Sequence, residues 1–182
     1  VPTSLPTGGP DAVRLLIVGL APGLRGANRT GVAFTGDASG TVLFAALERH
    51  GLARRIEAAE AGIAPDLIDT AITNAVRCVP PQNRPTGPEI AQCRAHLEAT
   101  IARLAGLRVI LTLGRIAHDA TIRALGGRVA DHPFGHGAQT ALNGLTIVSS
   151  YHCSRYNMNT GRLTEAVFDE VVVRCSQVVG RN

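Results

Sequence analysis

The chain has 182 residues, of which 45% are hydrophobic, and a formal net charge of +4. This length and composition suffice for one domain with a substantial core, and no apolar run is long enough to span a bilayer. All 18 basic residues are arginine, so no lysine amine can form a Schiff base with a substrate. We expect a soluble, cytoplasmic, monomeric protein with no membrane partner and a single domain over residues 1–182.

Four apolar runs predict buried strands, and the amphipathic segments between them predict helices. The predicted strands cover residues 14–19, 70–76, 108–113 and 145–149. The predicted helices cover residues 39–50, 88–104 and 116–125, and a last helix begins at Thr164. Residues 80–88 form a Pro-rich loop, and residues 126–144 form a long connection. Because strands that alternate with helices pair in parallel, the pattern predicts an α/β fold with a central four-stranded parallel sheet.

Two polar loops follow the first and the last predicted strands. The first, residues 19–40, is rich in glycine and contains Phe34 and Asp37, and the second, residues 150–164, contains His152. In a parallel sheet, loops that leave the carboxyl ends of the strands surround the ligand site. We therefore expect an active site between these two loops.

The four cysteines of a chain expected to be cytosolic argue against a disulfide framework. Cys78 and Cys93 are separated by 14 residues, a pair that is either half of a metal site or two ordinary thiols. Cys175 lies on an apolar helical face with Val167 and Val171, which predicts a position in the core.

Six segments, in the same order along the chain, resemble the motifs of one enzyme family. They are Gly19-Leu-Ala-Pro-Gly23, Gly26-Ala-Asn-Arg-Thr-Gly31, Phe34-Thr-Gly-Asp37-Ala-Ser-Gly40, Thr73-Asn-Ala-Val-Arg-Cys-Val-Pro-Pro81, Phe134-Gly-His-Gly137 and Ser150-Tyr-His-Cys-Ser-Arg-Tyr-Asn-Met-Asn-Thr-Gly-Arg-Leu-Thr164. The family is that of the iron–sulfur uracil-DNA glycosylases, and the segment Leu20-Ala-Pro22 is similar to their type-B branch, family 5.

The resemblance implies a three-layer α/β/α sandwich and a DNA repair enzyme. Such an enzyme would flip uracil out of DNA, hydrolyse its N-glycosidic bond and leave an abasic site. Its partner would be DNA that contains deaminated bases, and we include hypoxanthine among the expected bases. Because the chain has no lysine, we expect a monofunctional glycosylase that does not cut the strand.

Departure of the base generates positive charge on the sugar and negative charge on the base. The enzyme therefore needs a carboxylate near the sugar, hydrogen-bond donors at the base and a flat stacking surface. The resemblance assigns the carboxylate to Asp37, recognition of the base edge to Asn74, and the donor to the base O2 to His152. The expected substrate-binding residues are Gly19, Ala21, Phe34, Asn74 and His152.

Each of these assignments has a plainer alternative. Phe34 could instead be a core residue, although the adjacent Gly36-Asp37 favours a loop position, and Asp37 can cap the following helix as well as serve the reaction. The alternative for the Asn74 amide is hydrogen bonding to neighbouring backbone, and the alternative for His152 is a structural role, although its place in the Tyr-His-x-Ser loop favours a functional one. A second histidine, His136, is a weaker candidate in a loop that we expect to be flexible.

Polar and basic residues on the same edge are suited to contacts with phosphate. The segment 156–159 is a candidate wedge in the minor groove, because it contains the only methionine of the chain. The expected DNA-binding residues are Asn28, Arg29, Ser154, Arg155, Asn157, Met158 and Arg162.

The resemblance also implies a [4Fe–4S] cluster, to which Cys78 and Cys93 would supply two of four thiolates. The family's other two cysteines lie in a Cys-x-x-Cys pair near the amino terminus, and no cysteine precedes Cys78 here. Since the sequence begins at Val1 rather than at methionine, we expect an incomplete amino terminus and place the missing pair upstream. The alternative is that the cluster has been lost.

Two other functions compete with this hypothesis. A non-catalytic nucleic-acid-binding module could have the same fold and arginines, but it would not need Asp37, Asn74 and His152 together. A nucleotide-binding enzyme could use residues 19–23 as a phosphate loop, but the chain has neither the dinucleotide-binding glycine pattern nor the lysine of a P-loop.

Overall fold

The computed structural model describes residues 1–56 and 64–180, with only the backbone described at Asn83. A five-stranded sheet organises these residues, in the spatial order β4-β1-β5-β7-β6, and β2 and β3 form a separate antiparallel pair. The strands are β1 (Leu15–Gly19), β2 (Ala53–Arg54), β3 (Asp66–Leu67), β4 (Thr70–Asn74), β5 (Val109–Leu113), β6 (Gln139–Leu142) and β7 (Leu145–Ser150).

The four predicted strands are confirmed as the parallel strands β1, β4, β5 and β7. The prediction of a sheet with only four strands is wrong, because β6 pairs antiparallel with β7 at the edge. The turn between them is Asn143-Gly144, and both residues have positive φ, 51° and 78°. This dipeptide is a strong hairpin signal, which the interpretation of residues 126–144 as one long connection overlooked.

Four of the six helices of the described residues were predicted, three of them to within two residues at both ends and the last to within one residue at its start. Three begin at a residue whose side chain accepts a hydrogen bond from the first turn: Asp37, Thr86 and Thr164. The short helices α1 and α5 were not predicted. The helices are α1 (Ala27–Thr30), α2 (Ala38–Arg49), α3 (Gly87–Ala102), α4 (Arg115–Ala124), α5 (Arg155–Asn159) and α6 (Glu165–Val179). Short 3₁₀ turns cover Pro10–Ala12, Pro81–Asn83 and Val129–Asp131.

Apolar residues on both faces of the sheet produce the expected three layers. Ile17 points into a core with Leu43 of α2 and Phe168 of α6. Leu16, the preceding residue of the same strand, belongs to a second core with Leu97 of α3. Because successive side chains of a strand point to opposite faces, a continuous apolar run is what a sheet covered on both sides requires.

A buried polar network fastens residues 126–138 to the sheet. The Nε2 atom of His118 lies 2.8 Å from the carbonyl oxygen of His132, and its Nδ1 lies 2.8 Å from Oγ of Ser149. The His132 side chain in turn contacts Oγ1 of Thr140 at 2.7 Å. A carbonyl oxygen only accepts, so Nε2 of His118 donates and the loop is held in one position.

None of the described helices is both long and apolar enough to cross a lipid bilayer.

Candidate active site

A cavity of about 460 Å³ lies at the carboxyl ends of the parallel strands. Loops after β1, β4, β5 and β7 form its walls, as expected for a ligand site in an open α/β sheet. The structure brings together six of the residues named from the sequence, and they line this cavity: Ala21, Phe34, Asp37, Asn74, His152 and Ser154.

The Phe34 ring lies against the backbone of Gly19, at the end of β1. A Cβ atom on Gly19 would approach the ring to 2.8 Å and Oδ1 of Asn74 to 2.5 Å, so only glycine permits this packing. The backbone of Phe34 has a positive φ of 61°, which is unusual for an aromatic residue. Phe34 is 7% exposed and belongs to the core, but it also lines the cavity, so the two interpretations of this residue are compatible.

Asp37 caps α2 and faces the cavity at the same time. Its Oδ1 accepts hydrogen bonds from the backbone amides of Ser39 at 3.0 Å and Gly40 at 3.2 Å. Its Oδ2 is directed toward the first loop, where a Cβ atom on Gly26 would come within 2.8 Å of it. The cap fixes the carboxylate in one orientation, so the structural role and the proposed catalytic role reinforce each other.

Asn74 is the last residue of β4 and is paired in register with Gly19 of β1. It is buried, with 6% exposure, and lines the cavity. A buried amide that opens onto a cavity is suited to recognition of a polar ligand, because its donor and acceptor then need a partner.

The His152 ring stacks on the Phe34 ring. The two ring centroids are 5.9 Å apart, and the ring planes are inclined by 21°. Burial lowers the pKa of His152, and the Asp37 carboxylate opposes this effect more weakly. The imidazole is therefore neutral at pH 7 and can donate a hydrogen bond without carrying a full charge. The side-chain amide of Asn157 donates to the His152 carbonyl oxygen at 2.8 Å and steadies the loop.

A second cleft of about 280 Å³ adjoins the cavity and shares Arg115 and His152 with it. The guanidinium of Arg115 lies 5.2 Å from the ring centroid of Phe134, and that of Arg162 lies 4.4 Å from the ring of Tyr151. Arg162 was named from the sequence, whereas Arg115 was missed. The available signal was its position directly after the third predicted strand, in Gly114-Arg115.

The other residues expected to bind DNA lie on the two short helices. Asn28 and Arg29 are exposed on α1, and Arg155 is exposed on α5, where the Ser154 side chain caps the helix. Within the candidate wedge, Met158 packs against the core, whereas Tyr156 is 72% exposed. The apolar tip of this segment is therefore Tyr156.

The cysteines fall into two classes. Cys78 is exposed and Cys93 is half-buried, whereas Cys153 and Cys175 are buried. Cys175 is fully buried in the core, which confirms its predicted position. Burial raises the pKa of both buried thiols to about 12. Among the described residues, no group of three or more histidine, cysteine or acidic side chains could hold a metal ion. Cys78 and Cys93 therefore have the right chemistry for an iron–sulfur cluster but do not form a complete site.

A family model described as the uracil DNA glycosylase superfamily matches residues 6–174. A type-5 uracil-DNA glycosylase from Thermus thermophilus is 44% identical over 174 residues, which are 95% of this chain and 78% of that protein. A type-5 uracil-DNA glycosylase from Mycobacterium bovis is 40% identical over 97% of this chain and 67% of its own length. One from Pyrobaculum aerophilum is 38% identical over 97% of this chain and 76% of its own length.

The packing around Gly19 leads to a first prediction. Gly19→Ala will displace the Phe34 ring or the Asn74 amide and lower the free energy of unfolding by about 1–3 kcal/mol, the usual cost of overpacking. Urea denaturation measures this change. Gly87→Ala is the matched control, because a Cβ atom there meets nothing within 4 Å, and it should not destabilise the protein. Equal stability of the two variants would contradict the close packing at Gly19.

The two histidines near the cavity predict how stability depends on pH. Burial lowers the pKa of both His136 and His152 below the ordinary value of 6.5. The unfolded chain then binds protons more readily, so this stabilisation is present above about pH 6.5 and is lost as the pH falls through the lowered pKa values. Denaturation at pH 7.5 and pH 5 should show a lower free energy of unfolding at pH 5. A variant with both histidines changed to asparagine should show a smaller decrease, and an unchanged decrease would contradict this origin.

Proposed function

We propose, because this chain belongs to the uracil-DNA glycosylase superfamily, that the cavity is the active site of a DNA repair enzyme that hydrolyses the N-glycosidic bond of uracil. The observation that best supports this function is the convergence of Phe34, Asp37, Asn74 and His152 on one cavity. A stacking surface, a carboxylate, an amide and a neutral imidazole are the groups that the reaction needs.

Recognition of the base begins with its rotation out of the DNA stack into the cavity. Unstacking costs a few kcal/mol, which contacts in the pocket must offset. The Phe34 ring would stack on the flipped base, and the Asn74 amide would bond its O4 and N3 edge. Gly19 lets these two groups approach each other, so that one base can contact both.

Cleavage of the bond then depends on charge stabilisation at both ends. Negative charge grows on the base O2, and the neutral His152 imidazole would donate a hydrogen bond that strengthens as this happens. Positive charge grows on the sugar, and the fixed Asp37 carboxylate would stabilise it and polarise the attacking water. As the bond between C1′ of the sugar and the base nitrogen breaks, the water oxygen bonds to C1′. The proton that this water loses would pass to the Asp37 carboxylate and through solvent to the base anion, so the products are the free base and an abasic site.

The range of bases is a finer part of the proposal. The cavity lies within the usual range of small-ligand pockets, about 300–1,000 Å³, and is open to one side. We include other deaminated bases, such as hypoxanthine, as substrates. Parallel assays on uracil- and hypoxanthine-containing duplexes decide this part without affecting the main proposal.

The adjoining cleft would hold the DNA backbone beside the flipped nucleotide. The stacked aromatic rings restrain both Arg115 and Arg162, so less side-chain entropy is lost on binding. Guanidinium groups bind phosphate bidentately, and Asn157 lies in the same cleft. We propose that one backbone phosphate lies between the guanidinium groups of Arg115 and Arg162. We also propose that the enzyme acts as a monomer.

The rival hypothesis, a non-catalytic nucleic-acid-binding module, accounts for the arginines but not for the cavity. Binding alone does not require Phe34, Asp37, Asn74 and His152 around one cavity. The identity to several type-5 uracil-DNA glycosylases also favours an enzyme.

We further propose that Cys78 and Cys93 donate two thiolates to a [4Fe–4S] cluster with a structural role. The backbone nitrogen of Val1 lies 2.9 Å from the carbonyl oxygen of Arg77, so this residue lies beside the Cys78 loop. A cluster of this kind takes four thiolates, of which Cys78 and Cys93 would be two. Such a cluster would fasten the amino-terminal segment to the loop after Asn74.

The main experiment uses His152→Ala. We expect the excision rate of uracil to fall by about 10²–10³, because one hydrogen-bond donor to the developing anion is lost. Duplex affinity should change little. Single-turnover assays followed by alkaline cleavage of abasic sites measure the rate, and the strand should remain intact without alkali. If the wild-type protein binds uracil-containing DNA but releases no base, the proposed enzymatic activity is wrong and the non-catalytic binding module is favoured.

Arg162→Gln tests the phosphate contact. Loss of one contact should weaken binding to all duplexes alike and reduce the slope of log affinity against log salt by about 0.9. Arg123→Gln is the matched control, because Arg123 is exposed near the end of α4 remote from the cavity. If both variants show the wild-type slope, Arg162 does not contact phosphate.

Cys78→Ala tests the cluster in the full-length protein. We expect wild-type protein to be brown and to contain about four iron atoms per molecule, and the variant to lose colour, iron and thermal stability. Cys175→Ala should keep its iron, because that thiol is buried in the core. A colourless, iron-free and fully active wild-type protein would show that Cys78 and Cys93 are ordinary thiols.

A further inference from the structure

His136 contacts the backbone immediately before His152. Its Nδ1 atom accepts a hydrogen bond from the backbone amide of Tyr151 at 3.2 Å. Its ring also stacks on the Tyr151 ring, with centroids 5.1 Å apart and planes inclined by 19°. A backbone amide can only donate, so Nδ1 must be unprotonated for this contact to exist.

The opposite side of the His136 ring faces α6. Burial lowers its pKa, a hydrogen bond to the backbone of Val167 raises it, Arg174 lowers it and Glu170 raises it. Because Nδ1 accepts from the Tyr151 amide, the neutral imidazole carries its hydrogen on Nε2. The Tyr151 contact therefore selects the neutral tautomer with hydrogen on Nε2.

The loop that presents His136 is fastened on both sides, in contrast to the flexibility expected from its glycines. The Gly137 amide donates to the Ser149 carbonyl oxygen at 2.7 Å. The Arg174 guanidinium donates to the Gly137 carbonyl oxygen at 3.2 Å. His136 therefore occupies a fixed position between the end of β7 and α6.

His136 itself does not appear among the residues that line the cavity or the adjoining cleft. Its contact reaches the site through the Ser150–Tyr151 peptide unit, which lies one peptide unit before the one that joins Tyr151 to His152. A displacement of about 1 Å of a catalytic group can reduce a rate about 10²-fold. A residue that fixes this peptide unit therefore controls the hydrogen bond that His152 makes.

We propose that His136 is a positioning residue, which holds the Tyr151 amide and thereby sets the His152 imidazole toward the base. This inference rests on the proposed role of His152. It predicts that an acceptor at the position of Nδ1 is what matters, rather than an imidazole. Asparagine places its Oδ1 near that position, so His136→Asn keeps the acceptor and His136→Ala removes it.

The test compares these two variants in single-turnover excision and in duplex binding. We expect His136→Ala to lower the excision rate about 10-fold to 10²-fold with almost unchanged duplex affinity, and His136→Asn to recover most of the rate. His96→Ala, an exposed histidine on α3, is the control and should match the wild type. Unchanged excision in His136→Ala, or equal loss in both variants at equal folded fraction, would overturn the proposal.

A second readout does not depend on catalysis. In ¹⁵N NMR spectra of the wild type, the His136 ring should show a protonated Nε2 and an unprotonated Nδ1. The ring signals of His152 should shift in His136→Ala and return toward their wild-type positions in His136→Asn. A His136 tautomer with hydrogen on Nδ1, or His152 signals that ignore both variants, would also overturn it. If the expected His136 tautomer and His152 shifts were found in a protein that releases no uracil, the proposed function would be refuted. The influence of His136 on His152 would still be established.

Discussion

The candidate site depends on the close approach of three groups at the end of β1, where Gly19 has no side chain. Phe34 lies over its Cα atom, and Asn74 is its register partner on the neighbouring strand. Any larger residue would separate the stacking surface from the amide. The Phe34 backbone is held in the left-handed region, a strain that typically costs about 1–3 kcal/mol. Gly40 allows that strained segment to fold, because a Cβ there would collide with the Phe34 carbonyl oxygen.

Helix α2, which follows the loop that contains Phe34, anchors this loop to the core. Asp37 closes the first turn of α2, and Leu43 and Leu47 of that helix are fully buried against the sheet. The cap hydrogen bonds hold the Asp37 carboxylate in a fixed place at the amino terminus of α2. In the proposed mechanism, one residue thus caps a helix and supplies the negative charge that a developing sugar cation requires.

The elements that could be predicted from the sequence are those whose local pattern is sufficient. The four parallel strands are continuous apolar runs because both faces of the sheet are covered, and the residues that follow them line the cavity. β6 was missed because it has only four residues, which alternate between exposed and half-buried at an edge. The contacts of Arg115 and His136 arise between segments distant in the chain. Periodicity contains no information about such contacts, so the role of Arg115 and the hydrogen-bond partners of His136, a residue already named from the sequence, emerged only from the structure.

The distribution of aromatic residues shows how a chain with so few of them can build this site. There are four phenylalanines, two tyrosines and no tryptophan. Phe44 and Phe168 pack in the core with the aliphatic residues. The other four aromatic residues, Phe34, Phe134, Tyr151 and Tyr156, lie at the carboxyl edge of the sheet. The first three contact a histidine or an arginine with their rings, whereas Tyr156 projects into solvent.

Aliphatic side chains fill most of the core, but they cannot orient an imidazole or a guanidinium. The ring of Tyr151 is stacked between His136 and Arg162, so it links the loop that positions His152 to the cleft proposed for phosphate. The Tyr151 amide donates to His136, and the Tyr151 ring contacts both His136 and Arg162. In the proposed function, a DNA strand bound at Arg162 would contact the residue whose amide His136 holds, and this would couple binding of the DNA backbone to the orientation of His152.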